Sequence, residues 1–110
     1  MSYTPDRGDV IWIQMNPPAG REQAGHRPAF VVSPKTYNGK VGLALLCPIT
    51  SKAKGYPFEV ELTGAAIQGI ILSDQVKSLD WRARAARFEE KADRETTEEV
   101  LAKIEALIRN

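Results

Sequence analysis

The sequence predicts an α+β fold: a small, strongly bent antiparallel sheet or barrel, with one amphipathic helix towards its C-terminal end. Three observations lead there. Short runs rich in β-branched and aromatic residues recur along the chain, each bounded by Gly, Pro, Asn or Ser. The apolar period changes near residue 96, from two or continuous to 3.6. Finally, 110 residues with 43% hydrophobic and 26% charged side chains set disorder aside and suit one domain over 1–110.

The first strand is expected over Val10 to Met15, ended by Asn16-Pro17-Pro18, because two prolines cannot continue a ladder. The loop to Gly25 has little apolar content to pin it and is expected to be mobile. Arg27 to Ser33 forms the second strand, and Asn38-Gly39 marks a turn after it. Val41 to Thr50 is nearly all apolar, as in a strand buried on both faces, and residues 51–55 make a short polar loop. Phe58 to Leu62 alternates, apolar inward and acidic outward. Gly69 to Ser73 is a further strand, Gln75 to Leu79 continues it after a bend, and Arg84 to Phe88 is a last short one. The total is five or six strands. Over 96–108, Val100, Leu101, Ile104, Leu107 and Ile108 share one helical face, with Thr96 and Glu99 as a capping box at the start.

Cys47 is the single cysteine, so an internal disulfide is excluded and a reducing compartment is expected. It lies in an apolar run and reads as a packed, inert thiol. The N-terminal residues lack the apolar core of a signal peptide, and the longest apolar run is far short of the roughly 20 residues that span a bilayer. A cytoplasmic protein with no membrane partner is the expectation. Net charge is only +1, but it is unevenly spread. Residues 21–57 hold six basic side chains against Glu22 alone, residues 77–87 hold four against Asp80, and residues 88–110 hold four basic against seven acidic. If the fold gathers the two basic stretches they make a surface for a polyanion; scattered, they are a solvated exterior.

The segment Gly20 to Pro34 joins a polar loop to a buried strand, which is how a scaffold presents reactive groups. Cleaving RNA through its own 2′-hydroxyl needs a base, an acid and cationic donors for the charge on phosphorus. Glu22 can serve as the base or hold the loop, His26 can shuttle a proton, and Arg27 offers a planar fork of donors for a phosphate. Read alone, each is also an ordinary solvated charge, idle histidine or surface ion-pair partner. Thr50 and Ser51 add hydroxyls at the end of a strand, with Lys52 and Lys54 beside them, although a hydroxyl-rich turn has the same composition. One Cys and one His offer no metal-ligand spacing, so no metal or other cofactor is expected.

Glu22-Gln23-Ala24-Gly25-His26-Arg27-Pro28 resembles the E-Q-x-G-x-R-P segment of the MazF/PemK toxins, ribosome-independent endoribonucleases. Further matches follow in the family's order: Gly8 to Trp12 before it, then Cys47 to Thr50, Lys54 to Val60, Ser73 to Ser78 and Trp81 to Arg84. The resemblance runs over essentially the whole chain and is nearest the MazF branch. It implies an SH3-like barrel of the CcdB/PemK type, a homodimer, and a toxin that cuts single-stranded mRNA without a metal. It also implies a cognate acidic, MazE-like antitoxin that itself binds DNA. By this resemblance Arg27 and Thr50 contact the scissile phosphate, and Glu22 is needed in the cleft. His26, Ser51, Asp74 and Gln75 are candidates for catalysis or RNA contact, and Arg21, Lys52, Lys54, Phe58, Lys77, Arg82 and Arg84 for RNA binding. An arginine found in the PemK-like branch two residues before the aspartate is Leu72 here, which sets Asp74 aside as the expected base. Cutting beside ACA is taken only from relatives near this branch. Two other readings stay open, a non-catalytic RNA-binding barrel and a CcdB-like gyrase poison; the chain ends Leu107-Ile108-Arg109-Asn110 without the poison's Trp-Gly-Ile ending.

Overall fold

The computed structural model describes residues 2–15 and 26–110. Seven strands and two helices follow one another in these segments. They are β1 (Asp9–Gln14), β2 (His26–Val31), α1 (Lys35–Val41), β3 (Ala44–Thr50), β4 (Glu59–Thr63), β5 (Gln68–Leu72), β6 (Lys77–Leu79), β7 (Arg87–Lys91) and α2 (Arg94–Arg109). All pairings are antiparallel, in the order β4-β5-β3-β2-β1-β7, with β6 added alongside β3. β3 belongs to both halves: its start pairs with β6 and its Ile49–Thr50 end with β5. The result is a curled antiparallel half-barrel with a C-terminal helix, the expected α+β class.

β1, β2 and β3 are buried on both faces, and this follows from their near-continuous apolar sequences. Period-two alternation sends Val10, Phe30, Cys47 and Ile49 to one core, shared with Val60, Leu62, Ile71 and Val100. Ile11, Ile13, Ala29, Val31, Ala44 and Leu46 go to a second core under Trp81. Each fully buried Ile, Leu, Val or Phe stabilises the fold by about 1.5–3 kcal/mol, so both faces hold this sheet together. α2 lays Val100, Leu101 and Ile104 against the first core. The two outer strands of the sheet order, β4 and β7, are joined through Glu90. Its carboxylate accepts from the backbone N–H groups of Ala65, Ala66 and Ile67 in the β4–β5 turn, at 2.8–3.3 Å.

Three local expectations are corrected. Asn38-Gly39 lies inside α1, and the left-handed residue is Gly42, φ 84°, at its C-cap. Asn38 is fully buried: its Nδ2 donates to Pro5 O at 2.8 Å and Ser33 O at 2.9 Å, and its carbonyl accepts from Trp81 Nε1 at 3.0 Å. These distant partners outweigh the dipeptide's turn preference, and they leave β3 to begin at Ala44 instead of Val41. The cap of α2 is Asp93, not Thr96: the Asp93 carboxylate accepts from Thr96 N at 2.8 Å, starting the helix at Arg94. The last strand falls at Arg87–Lys91, because residues 84–86 turn, with Ala85 at φ 56°. The mobile loop expected before Gly25 lies outside the described residues.

Two consequences can be measured. A Cβ on Gly69 would stand 2.8 Å from the Thr50 carbonyl oxygen, a backbone atom that cannot step aside. Gly69→Ala therefore destabilises by about 1–3 kcal/mol through overpacking, read by urea unfolding; wild-type stability would show that β5 does not press on Thr50. The hydrogen bonds from Thr96 hold the Asp93 carboxyl below its ordinary 3.8. A lowered folded-state value gives stability that is present above 3.8 and lost as pH falls through the lower value. Asp93→Ala accordingly melts lower at neutral pH, and the deficit shrinks as melts are taken below pH 3.8.

Candidate active site

Antiparallel pairing decides which strand ends meet. Gln14 pairs with His26 and Ile13 with Arg27, so the end of β1 lies beside the start of β2. β3 runs back along β2 through Phe30↔Cys47 and Ala29↔Pro48, which brings its Ile49–Thr50 end to the same rim. Alternation puts Arg27 on the face of Ala29 and Val31, and Thr50 on the face of Ala44 and Leu46, which is one and the same face of the sheet. His26 alternates to the other face. His26 and Arg27 are exposed and Thr50 is half-buried. Arg27 and Thr50 are thus gathered at one rim by the register, although 23 residues separate them in the chain.

Thr50 opens into the polar loop, and the loop is built by hydrogen bonds. Its Oγ1 accepts from Lys52 N at 3.2 Å. The Glu59 carboxylate accepts from Lys54 N at 2.8 Å and from Gly55 N at 3.0 Å, with Gly55 at φ 83°. Thr50, Lys52, Lys54, Tyr56, Glu59, Leu72 and Gln75 line a pocket of about 190 Å³. Ser51, the adjacent hydroxyl, lines a separate depression with Glu61, Thr63 and Gln68. Phe58 is half-buried, its carbonyl accepting from Ser73 N at 3.1 Å.

Asp74 accepts from the Tyr56 hydroxyl at 3.0 Å, which ties the 73–76 turn to the basic loop. Desolvation raises the Tyr56 phenol, and the bond to Asp74 raises it further, so it stays protonated through neutral pH. Arg84 plays a structural part, since one of its guanidinium nitrogens donates to Gln14 O at 3.0 Å and Met15 O at 2.7 Å, fixing the end of β1 at the rim. Arg82 stacks over the Trp81 ring at 4.8 Å, and Lys77 is exposed opposite Leu46 on β6. The charge map also divides. Lys52 and Lys54 stand beside Thr50, whereas Lys35 and Lys40 sit on α1, which joins the other ends of β2 and β3. Arg21 and Glu22 lie outside the described residues.

Burial pushes the Cys47 thiol up to about 12, with the Asp74 charge adding to the shift, as expected of an inert, packed cysteine. Among the described residues no cluster of three or more His, Cys, Asp or Glu is placed to hold a metal. No described helix is long and apolar enough to cross a membrane. Tyr56 and Glu59 are pocket residues that sequence reasoning does not single out. The clean alternation around Glu59 reads only as a solvent-facing carboxylate, and nothing local signals its bonds to the loop backbone.

The curled half-barrel that carries this rim is the fold of a known class. The family described as PemK-like, MazF-like toxin of type II toxin-antitoxin system matches residues 6–108, and the chain belongs to it. The endoribonuclease toxin MazF of Escherichia coli strain K12 is 51% identical over 106 residues, covering 96% of each chain. The endoribonuclease toxin ChpB of the same strain is 31% identical over 109 residues, covering 94% of this chain and 93% of its own. Among solved structures, MazF from Deinococcus radiodurans superposes with a TM-score of 0.88 at 45% identity, covering 99% of this chain and all of that one. A MazE–MazF complex from the same organism superposes at 0.86 with 42% identity and covers 97% of each chain.

Proposed function

We propose that this chain, acting as one domain, is a cytoplasmic endoribonuclease toxin that cuts single-stranded mRNA at specific sites and is held in check by a cognate antitoxin. The observation that carries the reading is the meeting of Arg27 and Thr50 at one rim of a MazF-family barrel, beside the Lys52–Lys54 loop. In the reaction the 2′-hydroxyl oxygen attacks the adjacent phosphorus, and the bond from phosphorus to the 5′-oxygen breaks. A base takes the 2′-hydroxyl proton and an acid delivers one to the departing 5′-oxygen. Glu22 is assigned to proton transfer in the cleft; His26, on the other face of the sheet from Arg27 and Thr50, is left as a candidate for RNA contact. The Arg27 guanidinium and the Thr50 hydroxyl hold the non-bridging oxygens as charge builds on them. Lys52 and Lys54 track the neighbouring phosphates. Gln75, which lines the same pocket as Thr50, would meet a base edge. No cofactor enters these steps.

The homodimer belongs to the same proposal. On α2, Leu101, Ile104 and Ile108 line an apolar groove, with Leu107 also exposed, and a second copy would cover this stripe. The antitoxin would end in an acidic, flexible segment that folds over the same cationic rim and competes with RNA, gaining from buried apolar anchors what its ordering costs.

Purified protein on a long unstructured RNA, with both new ends mapped, tests the reading. The expected products carry a 2′,3′-cyclic phosphate and a 5′-hydroxyl, form equally in chelator, and are absent where the scissile nucleotide is deoxyribose. Cleavage of the deoxy substrate, or loss of activity in chelator, would contradict this chemistry; intact RNA throughout would favour a non-catalytic RNA-binding role.

A further inference from the structure

Two acidic side chains stand two residues apart on β4, and the fold uses them differently. Glu61 is exposed and borders the depression shared with Ser51. Glu59 is half-buried and turned back onto the basic loop: one carboxylate oxygen accepts from Lys54 N at 2.8 Å, the other from Gly55 N at 3.0 Å. Gly55, at φ 83°, supplies the backbone bend that lets two successive N–H groups converge on one carboxylate. The same stretch is fastened from behind by α2. Lys103 Nζ donates to Pro57 O at 2.7 Å and Glu59 O at 3.0 Å, and is braced by Glu99 at 3.5 Å. Glu59 also walls the pocket that holds Thr50, Lys52 and Lys54.

A carboxylate is an unexpected neighbour for a phosphate track, because like charges repel. We infer that Glu59 is a positioning residue for RNA: by clamping the backbone of residues 54–55 it pre-orders the Lys52–Lys54 loop beside Thr50. The inference rests on the nuclease reading above and adds a residue to it. Without the clamp, the loop must be ordered when RNA binds, and that entropy is subtracted from affinity. The carboxylate's charge is meanwhile engaged by two N–H donors. Glu59→Gln keeps the size but presents an amide NH₂ to one of those donors, leaving it unmatched.

A bystander and a clamp predict opposite signs. If Glu59 is a bystander near an anion, neutralising it tightens RNA binding. If it is a clamp, neutralising it weakens binding in spite of the favourable charge change. The probe is an RNA made uncleavable by deoxyribose at the scissile position, titrated across a salt series against wild type, Glu59→Gln, Glu61→Gln and Gly55→Ala. Gly55→Ala is the second arm because it leaves the charge unchanged. Its Cβ would meet nothing within 4 Å, so it acts only by straining the loop's bend. Glu59→Gln and Gly55→Ala are expected to bind about tenfold more weakly. Their plots of log affinity against log salt should be shallower by about 0.7 for each phosphate that the loop no longer engages. KM should rise with little change in kcat, and Glu61→Gln should bind at least as tightly as wild type. Melting curves check that each variant is folded. Wild-type or tighter binding by Glu59→Gln, or by Gly55→Ala, overturns the inference. Failure of the underlying reading looks different: wild type would then leave a cleavable RNA intact, or Arg27→Ala would cleave it as fast as wild type, whatever the clamp variants do.

Discussion

The structure depends on one constraint, the burial of β1, β2 and β3 on both faces at once. Even a sheet with one wet face resists a one-residue slip, because its apolar set would turn to water. Here a slip of one residue would exchange the contents of two packed cores, sending Phe30 towards Trp81 and Val31 towards Val100. The register is therefore fixed, and with it the level at which each strand leaves the barrel. Arg27 and Thr50 are the residues that emerge at one rim on one face. Their proximity is a by-product of core packing, and it asks nothing of their own chemistry.

Polar side chains are then used to hold what the cores cannot. Arg84 grips the end of β1, Glu90 bridges β7 to the β4–β5 turn, Glu59 shapes the basic loop, and Tyr56 with Asp74 ties that loop to the 73–76 turn. Each joins a strand end or turn to a neighbouring element. Charges that the sequence presents as surface thus divide into those bound to backbone groups and those, such as Lys52 and Lys54, that line a pocket beside Thr50. In the proposed reaction the backbone-bound set provides preorganisation and the second set meets phosphate.

Much of the fold is legible in the sequence because it follows from period alone. The alternation at Phe58–Leu62, the nearly unbroken apolar run ending at Thr50 and the 3.6-residue stripe around Val100 each name their element. What is not legible depends on partners far along the chain. Asn38 looks like a turn residue until Pro5, Ser33 and Trp81 enclose it. Asp93 out-competes Thr96 as the helix cap by accepting a hydrogen bond that either assignment would permit locally. For the site, Arg27 and Thr50 are visible through family resemblance. Their shared rim can be seen only once the β1–β2 and β2–β3 registers are known. Glu59 is visible as a residue and invisible as a clamp, because its partners are backbone N–H groups with no sequence signature.

The central claim is that the ends of β2 and β3 form one catalytic unit, and a double-mutant cycle tests it most directly. Arg27→Ala and Thr50→Val, each shown to be folded, are compared singly and together in single-turnover cleavage of one RNA. Each change alone should cost on the order of 10²–10³ in rate. Because the two residues act on the same phosphate, the double variant should be scarcely slower than the poorer single one. Losses that multiply, or a single variant that cleaves at the wild-type rate, would contradict the account.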